Sequence, residues 1–322
     1  MKNKLRYLVI IIVLCLSLSA AQAQQTPQKF IKETHYLLSL PDGYSEDTSR
    51  RWPLMIFLHG SGESGNDLEK IKVHGPPKLI ELGKKFPFVV VSPQAQPNSG
   101  WEPENLHHLL DHIKQTQRVD DQKIYLTGLS MGGFGTWELA MKHPEEFAAI
   151  VPICGGGDTA DAWKLRNISV WCFHGAKDDV VLPAASENMV VAAKRYNPSV
   201  KFTLYPDANH NSWERTYNND SVYQWLLAQT KFLYKEGPVN TALLKQYEGR
   251  YVSPERDTVM IMAESNKLVA KTGNRTFPLK AAGNDLFFIQ ENRPLDIRFT
   301  RSKGAVSSFL FMGDRKTAYR KI

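Results

Sequence analysis

Short apolar runs alternate with amphipathic stretches between Arg51 and about Gln229, and this alternation limits the possible folds more than any other feature of the chain. The apolar runs are PLMIFLH, FVVVSP, KIYLTG, FAAIVPI, SVWCFHG and VKFTLYP. Helical stretches separate several of them, which is typical of parallel strands joined by helices. The runs are apolar throughout, as in strands that helices cover on both faces. The sequence therefore predicts an α/β fold with a mostly parallel sheet, and the upstream segment FIKETHYLLSLPDGY predicts one or two antiparallel edge strands.

Residues 1–23 have the pattern of an export signal. Three basic residues come first, an apolar run follows, and the small-residue site Ala21-Gln22-Ala23 ends the segment. We therefore expect an exported protein, periplasmic or secreted, that begins at Gln24. The apolar run is shorter than the roughly 20 residues that span a bilayer, so no stable membrane insertion is expected.

After Pro238 the sequence pattern changes to short strand-like segments separated by turn residues. These segments are GRYVS, TVMIMAE, KLVAKT, TFPLKA, LFFIQ, DIRFTR, VSSFLFM and TAYRKI. Such spacing predicts a small antiparallel sandwich or barrel. The predicted organisation is thus a signal at 1–23, a catalytic α/β domain at 24–237 and a β-domain at 238–322. Basic residues are in excess in this last part, but they do not cluster with aromatics, so no nucleic-acid partner is expected.

The strand-like run KIYLT leads directly into Gly128-Leu129-Ser130-Met131-Gly132-Gly133, and a helix-forming stretch follows up to Pro144. This is the pattern of a nucleophile elbow, a strained turn from strand to helix that raises a serine hydroxyl above the sheet. Glycines two positions before and after the serine allow the neighbouring backbone to pack closely. The helix start points N–H groups at the site, which favours the negative charge of acyl transfer.

Two further polar positions follow later strands. SVWCFHG leads into Asp178 and Asp179, at the carboxyl end of a predicted parallel strand, where such folds build their sites. VKFTLYP leads into a loop that contains His210. The order along the chain is Ser, Asp, His, which is the order that α/β-hydrolases use.

The segments GLSMGG, HGAKDDVV and NHNSW together resemble the esterase and predicted-peptidase branch of the α/β-hydrolase superfamily, which is related to feruloyl and acetylxylan esterases and polyhydroxyalkanoate depolymerases. The resemblance covers roughly residues 30–234. It implies that Ser130 is the nucleophile, His210 the general base and Asp178 the carboxylate that orients the imidazole. Asp179 is the rival acid, and Asp178 is preferred because it holds the family's position after His-Gly-x-x.

An oxyanion hole needs two backbone donors. One is expected from Met131, directly after the nucleophile, and the other from the glycine-rich loop after PLMIFLH, with Ser61 as first choice and Gly60 as second. The same loop also matches the dinucleotide pattern G-x-G-x-x-G. That alternative needs an acidic residue at the end of the next strand, whereas the candidate Glu81 lies in a helical pattern.

Several other residues have a structural and a functional interpretation. Trp101 either stacks on a sugar or phenolic ring of the substrate or acts as a hydrophobic plug, and Trp213 is expected to pack the loop of His210. Cys154 and Cys172 are expected to be buried thiols, with a single disulfide as the alternative.

The histidines outside the triad are expected to be structural. His59 and His174 are expected to support the site loops by hydrogen bonds. His108 and His112 share a helix face without the third ligand that zinc needs, so no metal is expected.

The sequence therefore predicts a cofactor-independent serine carboxylesterase. Because of the resemblance, its expected substrates are small esters or feruloyl and acetyl esters linked to polysaccharides. A serine peptidase with the same triad and a non-catalytic carbohydrate-binding protein are the alternatives, and the sequence leaves the oligomeric state open.

Overall fold

The computed structural model describes residues 33–238, 240–290, 295–313 and 315–322. Residues 34–322 form one compact unit. The predicted signal at 1–23 lies outside the described residues. Within the described part of the chain, no helix is long and apolar enough to cross a membrane.

The first sheet has seven strands in the order β1-β3-β2-β4-β5-β6-β7. Its strands are β1 (Tyr36–Ser39), β2 (Trp52–Leu58), β3 (Val89–Pro93), β4 (Val119–Leu129), β5 (Ala149–Ile153), β6 (Ser169–Gly175) and β7 (Lys201–Tyr205). All neighbours are parallel except β1, which runs antiparallel to β3 at the edge. The predicted parallel sheet and antiparallel edge strand are both confirmed.

Helices cover both faces of this sheet. They are α1 (Gly75–Glu81), α2 (Pro103–Thr116), α3 (Met131–Lys142), α4 (Ala184–Lys194), α5 (Ser212–Tyr217) and α6 (Asp220–Leu227), with α7 (Thr241–Tyr247) leading into the second sheet, and 3-10 segments lie at Ser61–Glu63, Leu68–Val73 and Thr159–Asn167. Alternate residues of one strand enter different cores, since Leu54 and Ile56 of β2 pack on one side while Met55 and Phe57 pack on the other. Two apolar cores explain why the strands are apolar throughout. Glu81 lies in α1, as its pattern predicted.

The second sheet is a closed antiparallel barrel. Its strands are β8 (Gly249–Val252), β9 (Thr258–Glu264), β10 (Lys267–Thr272), β11 (Arg275–Gly283), β12 (Leu286–Ile289), β13 (Leu295–Ser302), β14 (Ala305–Met312) and β15 (Lys316–Lys321). The eight segments expected from the sequence are all strands, and β15 pairs with β8 to close the ring. A third apolar core fills its interior.

A buried ion pair joins the barrel to the segment before β6. The guanidinium of Arg166 donates to Asp296 Oδ1 from Nε at 2.9 Å and from Nη2 at 2.5 Å, and also to the carbonyl oxygen of Met312. The side chain of Asp296 is fully buried and that of Arg166 is 7% exposed. Burial of two charges is costly unless they are paired, so this contact depends on both residues. The domain boundary at 237/238 stays a prediction.

Candidate active site

Ser130 occupies the tight turn between β4 and α3. Its backbone has φ +53° and ψ −118°, in the positive-φ region that residues other than glycine rarely adopt. Its amide N–H donates to the carbonyl oxygen of Ile153 at 3.0 Å. The turn therefore holds Ser130 at the carboxyl end of a central strand, where parallel sheets build their sites.

Close backbone packing around this turn requires glycine at two positions. A Cβ on Gly128 would lie 2.3 Å from the carbonyl oxygen of Gly132, and a Cβ on Gly132 would lie 2.0 Å from the carbonyl oxygen of Leu58. Real Cβ atoms essentially never approach other heavy atoms within 3.0 Å. Gly132 therefore allows α3 to begin directly beside the end of β2, where the glycine-rich loop starts.

The side chains of Ser130, His210 and Asp178 form one hydrogen-bonded chain. His210 Nε2 lies 3.0 Å from Ser130 Oγ, and His210 Nδ1 lies 2.8 Å from Asp178 Oδ2. Because an ionised carboxylate only accepts hydrogen bonds, Nδ1 carries the proton and Nε2 is free to accept the serine hydroxyl. The three residues follow β4, β7 and β6, so strands that are separate in sequence bring them to one edge of the sheet.

Asp178 is held in place by two backbone amides as well as by His210. Its Oδ1 accepts the N–H of Val180 at 3.0 Å and that of Val181 at 2.9 Å. The carboxylate is buried, whereas the rival Asp179 is exposed. This geometry favours Asp178 as the acid that orients the imidazole.

His59 orients the peptide bond between Gly60 and Ser61. Its Nε2 accepts the amide N–H of Ala95 at 3.0 Å, so Nδ1 carries the proton and donates to the carbonyl oxygen of Gly60 at 2.5 Å. Burial lowers the pKa of His59 to about 4 and keeps the ring neutral. In a trans peptide the N–H points opposite to the C=O, so the N–H of Ser61 faces away from His59. A Cβ on Gly60 would lie 3.7 Å from Ser130 Cβ, which places this peptide beside the serine.

Met131, the second expected oxyanion donor, is the first residue of α3. The first amides of a helix have no acceptor inside the helix, and the helix dipole adds positive potential at the same end. That an anion formed at Ser130 accepts hydrogen bonds from Met131 and Ser61 stays a prediction.

Trp101 packs behind the site loop. Its indole N–H donates to the carbonyl oxygen of His59 at 3.2 Å, and its ring lies edge-on to the His59 ring with centroids 4.7 Å apart. The ring also packs against Gly135, where a Cβ would lie 2.9 Å from Trp101 Cδ1. These contacts favour the interpretation of Trp101 as a hydrophobic plug. A contact between Trp101 and the substrate stays a prediction. Trp213 lies edge-on to His210 at 5.1 Å, so it packs the histidine loop as expected.

Three apolar side chains near the triad are exposed, and the sequence reasoning missed them. Phe134 is 40% exposed on the first turn of α3, and Val180 and Leu182, in the loop after Asp178, are 69% and 65% exposed. The signal for the last two was present, because apolar residues follow the acid directly in a loop.

Cys154 and Cys172 are free thiols, and both are buried. Burial raises the pKa of each thiol to about 12, so neither supplies a thiolate at neutral pH. The prediction of buried thiols is confirmed.

At three places in the described chain, side chains of the types that bind metal ions lie close together. The groups are Cys154 with Asp178 and His210, Glu104 with His107 and His143, and His107 with Asp111 and Glu146. In the first group the acid and the imidazole already bond each other. In the third, Lys114 and Lys231 lie 3.0 and 3.5 Å from the Glu146 carboxylate, and their positive charges oppose a second cation there. His108 and His112 are exposed on α2.

Comparison with known proteins relates the chain to hydrolases. The dienelactone hydrolase family matches residues 96–236, which include the whole Ser, Asp, His set. The parallel sheet with helices on both faces and this match together give the chain an α/β-hydrolase fold.

Among curated relatives, a bifunctional acetylxylan esterase/xylanase of Neocallimastix patriciarum is 26% identical over 54% of the chain and 26% of the relative. Poly(3-hydroxyalkanoate) depolymerase C of Paucimonas lemoignei is 25% identical over 51% of the chain and 53% of the relative. Feruloyl esterase C of Emericella nidulans is 26% identical over 47% of the chain and 57% of the relative. The chain thus spans 26% to 57% of the length of these relatives.

A solved thermostable esterase is similar in fold to part of this chain. The two share 30% sequence identity with a TM-score of 0.54, over 62% of this chain and 60% of the esterase. The likeness covers well under the full chain.

Proposed function

We propose that the protein is an exported serine carboxylesterase that cleaves esters through an acyl-enzyme. The observation that carries the proposal is the hydrogen-bonded chain from Ser130 Oγ through His210 to Asp178, with distances of 3.0 and 2.8 Å. Its geometry matches that of a nucleophile, a general base and an orienting acid.

The proposed reaction has two halves. His210 Nε2 takes the proton of Ser130 while Oγ bonds to the ester carbonyl carbon. The resulting oxyanion accepts hydrogen bonds from the backbone amides of Ser61 and Met131. The carbon–oxygen bond to the alcohol then breaks, and His210 gives its proton to the leaving alcohol. Water repeats the sequence on the acyl-enzyme, which releases the acid and restores the serine.

The substrate class is a finer proposal, and feruloyl or acetyl esters of polysaccharides are its first candidates. The named relatives include acetylxylan and feruloyl esterases. The exposed Phe134, Val180 and Leu182 offer apolar surface beside the triad, which suits an aromatic acyl group. Trp101 is the proposed further contact of such a ring.

The test is hydrolysis of p-nitrophenyl acetate and methyl ferulate by the purified protein and by Ser130→Ala. Loss of a triad nucleophile lowers kcat by roughly 10⁵-fold or more. Ser221→Ala is a matched control, because Ser221 is exposed at the start of α6 and is not part of the hydrogen-bonded chain of Ser130, His210 and Asp178. Equal activity in Ser130→Ala and the wild type would refute the proposal.

The two alternatives give different outcomes in the same assays. A serine peptidase with this triad would cleave peptide anilides with kcat/KM comparable to that for esters. A carbohydrate-binding protein would bind glycans while a fluorophosphonate left Ser130 unlabelled.

A further inference from the structure

His174, near the end of β6, contacts the acid of the triad. Its side chain is fully buried, and its Nε2 lies 2.8 Å from the carbonyl oxygen of Val181 and 3.0 Å from Asp178 Oδ2. A carbonyl and an ionised carboxylate accept hydrogen bonds and donate none. Nε2 therefore carries a proton.

The second ring nitrogen of His174 requires a proton as well. Nδ1 lies 2.7 Å from Ser186 Oγ, and the same Oγ lies 2.7 Å from the carbonyl oxygen of Gly155. The hydroxyl has one hydrogen, and the carbonyl can only accept it. Without a proton on Nδ1, one of these two short contacts would join two acceptors. With that proton, both contacts are hydrogen bonds.

We propose that His174 is a buried imidazolium that forms an ion pair with Asp178 and thereby sets the pH range in which His210 acts as a base. The inference rests on the proposed function, in which Asp178 orients His210. His174 touches neither substrate nor reacting atoms, so it is a positioning residue. Burial of the Asp178 charge is costly unless a partner compensates it, and the imidazolium supplies that partner.

The charge on His174 affects the protonation of His210, because the two rings are close and the charge is positive. Nitrogens of His174 and His210 both contact Asp178 Oδ2, so the two rings lie within the range of about 6 Å over which charges alter protonation. A positive charge there disfavours the imidazolium form of His210, which keeps it a free base at lower pH. The Cys154 and Cys172 thiols lie in the same buried region, and burial raises the pKa of each to about 12, so they stay neutral. The charged neighbours of Asp178 in the chain, Lys177 and Asp179, are exposed, so solvent screens them.

His174→Gln separates charge from packing, because glutamine keeps an N–H donor and has no charge. The measurement is kcat/KM for p-nitrophenyl acetate against pH. We expect the acid limb of the profile to move to higher pH by about one to two units, with a plateau that is at least partly retained. A merely structural role would lower the plateau and leave the limb in place.

His143→Gln is the matched control. His143 is also a buried histidine, 4% exposed, but it caps the other end of α3, about 20 Å from Ser130 along the helix axis. Its pH profile should coincide with that of the wild type.

A second measurement needs no variant and no activity. Histidine ¹⁵N shifts of the intact protein should show both nitrogens of His174 protonated across the pH range in which His210 titrates. A bare Nδ1, or an acid limb that does not move in His174→Gln, would overturn the inference. A protein that cleaves no ester but shows a doubly protonated His174 would refute the proposed function and leave the ion pair standing.

Discussion

Gly132→Ala tests whether close contact between α3 and the end of β2 is what places Ser130 and its proposed oxyanion donors. The new Cβ would lie 2.0 Å from the carbonyl oxygen and 2.5 Å from the carbonyl carbon of Leu58, and 2.7 Å from the carbonyl oxygen of His59. All three are backbone atoms, so no flexible side chain can move aside. The start of α3 or the loop of Ser61 must shift.

The size of the shift sets the expected effects. To reach the 3.0 Å that real Cβ atoms keep from other atoms, the backbone must move by about 1 Å. Overpacking costs about 1–3 kcal/mol, which exceeds the ~0.5–1 kcal/mol that alanine gains over glycine in a helix. The melting temperature should therefore fall by roughly 3–6 °C. A misplacement of ~1 Å should lower kcat about 100-fold.

The control is Gly62→Ala in the same loop as Ser61. A Cβ on Gly62 meets nothing within 4 Å, so this variant should keep the wild-type melting temperature and activity. The assays are thermal unfolding and hydrolysis of p-nitrophenyl acetate. If Gly132→Ala retained wild-type kcat and stability, the reasoning from backbone contact would be wrong.

Asp178→Asn should lower kcat by about 10⁴-fold, because it favours the wrong tautomer of the imidazole, while the exposed Asp179→Asn should keep activity in the same ester assay. Burial lowers the pKa of His59 from 6.5 to about 4, so only the unfolded chain binds this proton between those values. Urea titrations should then show that the free energy of unfolding falls by up to about 3 kcal/mol between pH 6.5 and pH 4. The variant His59→Gln has no titratable group at this position and should lose less over the same range. Asp296→Ala leaves the Arg166 guanidinium buried without its partner and should cost about 3–5 kcal/mol in the same unfolding assay, and a loss below 1 kcal/mol would contradict the buried-pair argument.

Much of the fold follows from local patterns. The apolar runs from Arg51 to Gln229 predicted six parallel strands, and the eight segments after Pro238 predicted eight antiparallel ones, because each strand carries its own hydrophobic signature. The choice between a sandwich and a barrel did not follow, since it depends on the pairing of β15 with β8.

The candidate site, like the fold, was predictable from the sequence only in part. The elbow around Ser130 was predictable because a positive φ and close backbone approach leave a glycine pattern in the sequence. The order Ser, Asp, His followed from the polar residues after successive strand-like runs, whereas the choice of Asp178 over Asp179 came from the resemblance to a family. The plug contacts of Trp101 did not follow from the sequence, because they depend on which side chains meet in space.

The sequence by itself determined the strands, the helices and the serine turn, because hydrophobic period and glycine spacing are local properties of the chain. Only the tertiary structure decided the protonation of His174 and the direction of the Gly60–Ser61 peptide. Each depends on the acceptors and donors that surround one imidazole ring, and packing brings those groups together from separate elements. A list of residue types does not contain their distances, and hydrogen bonds form only within about 3 Å.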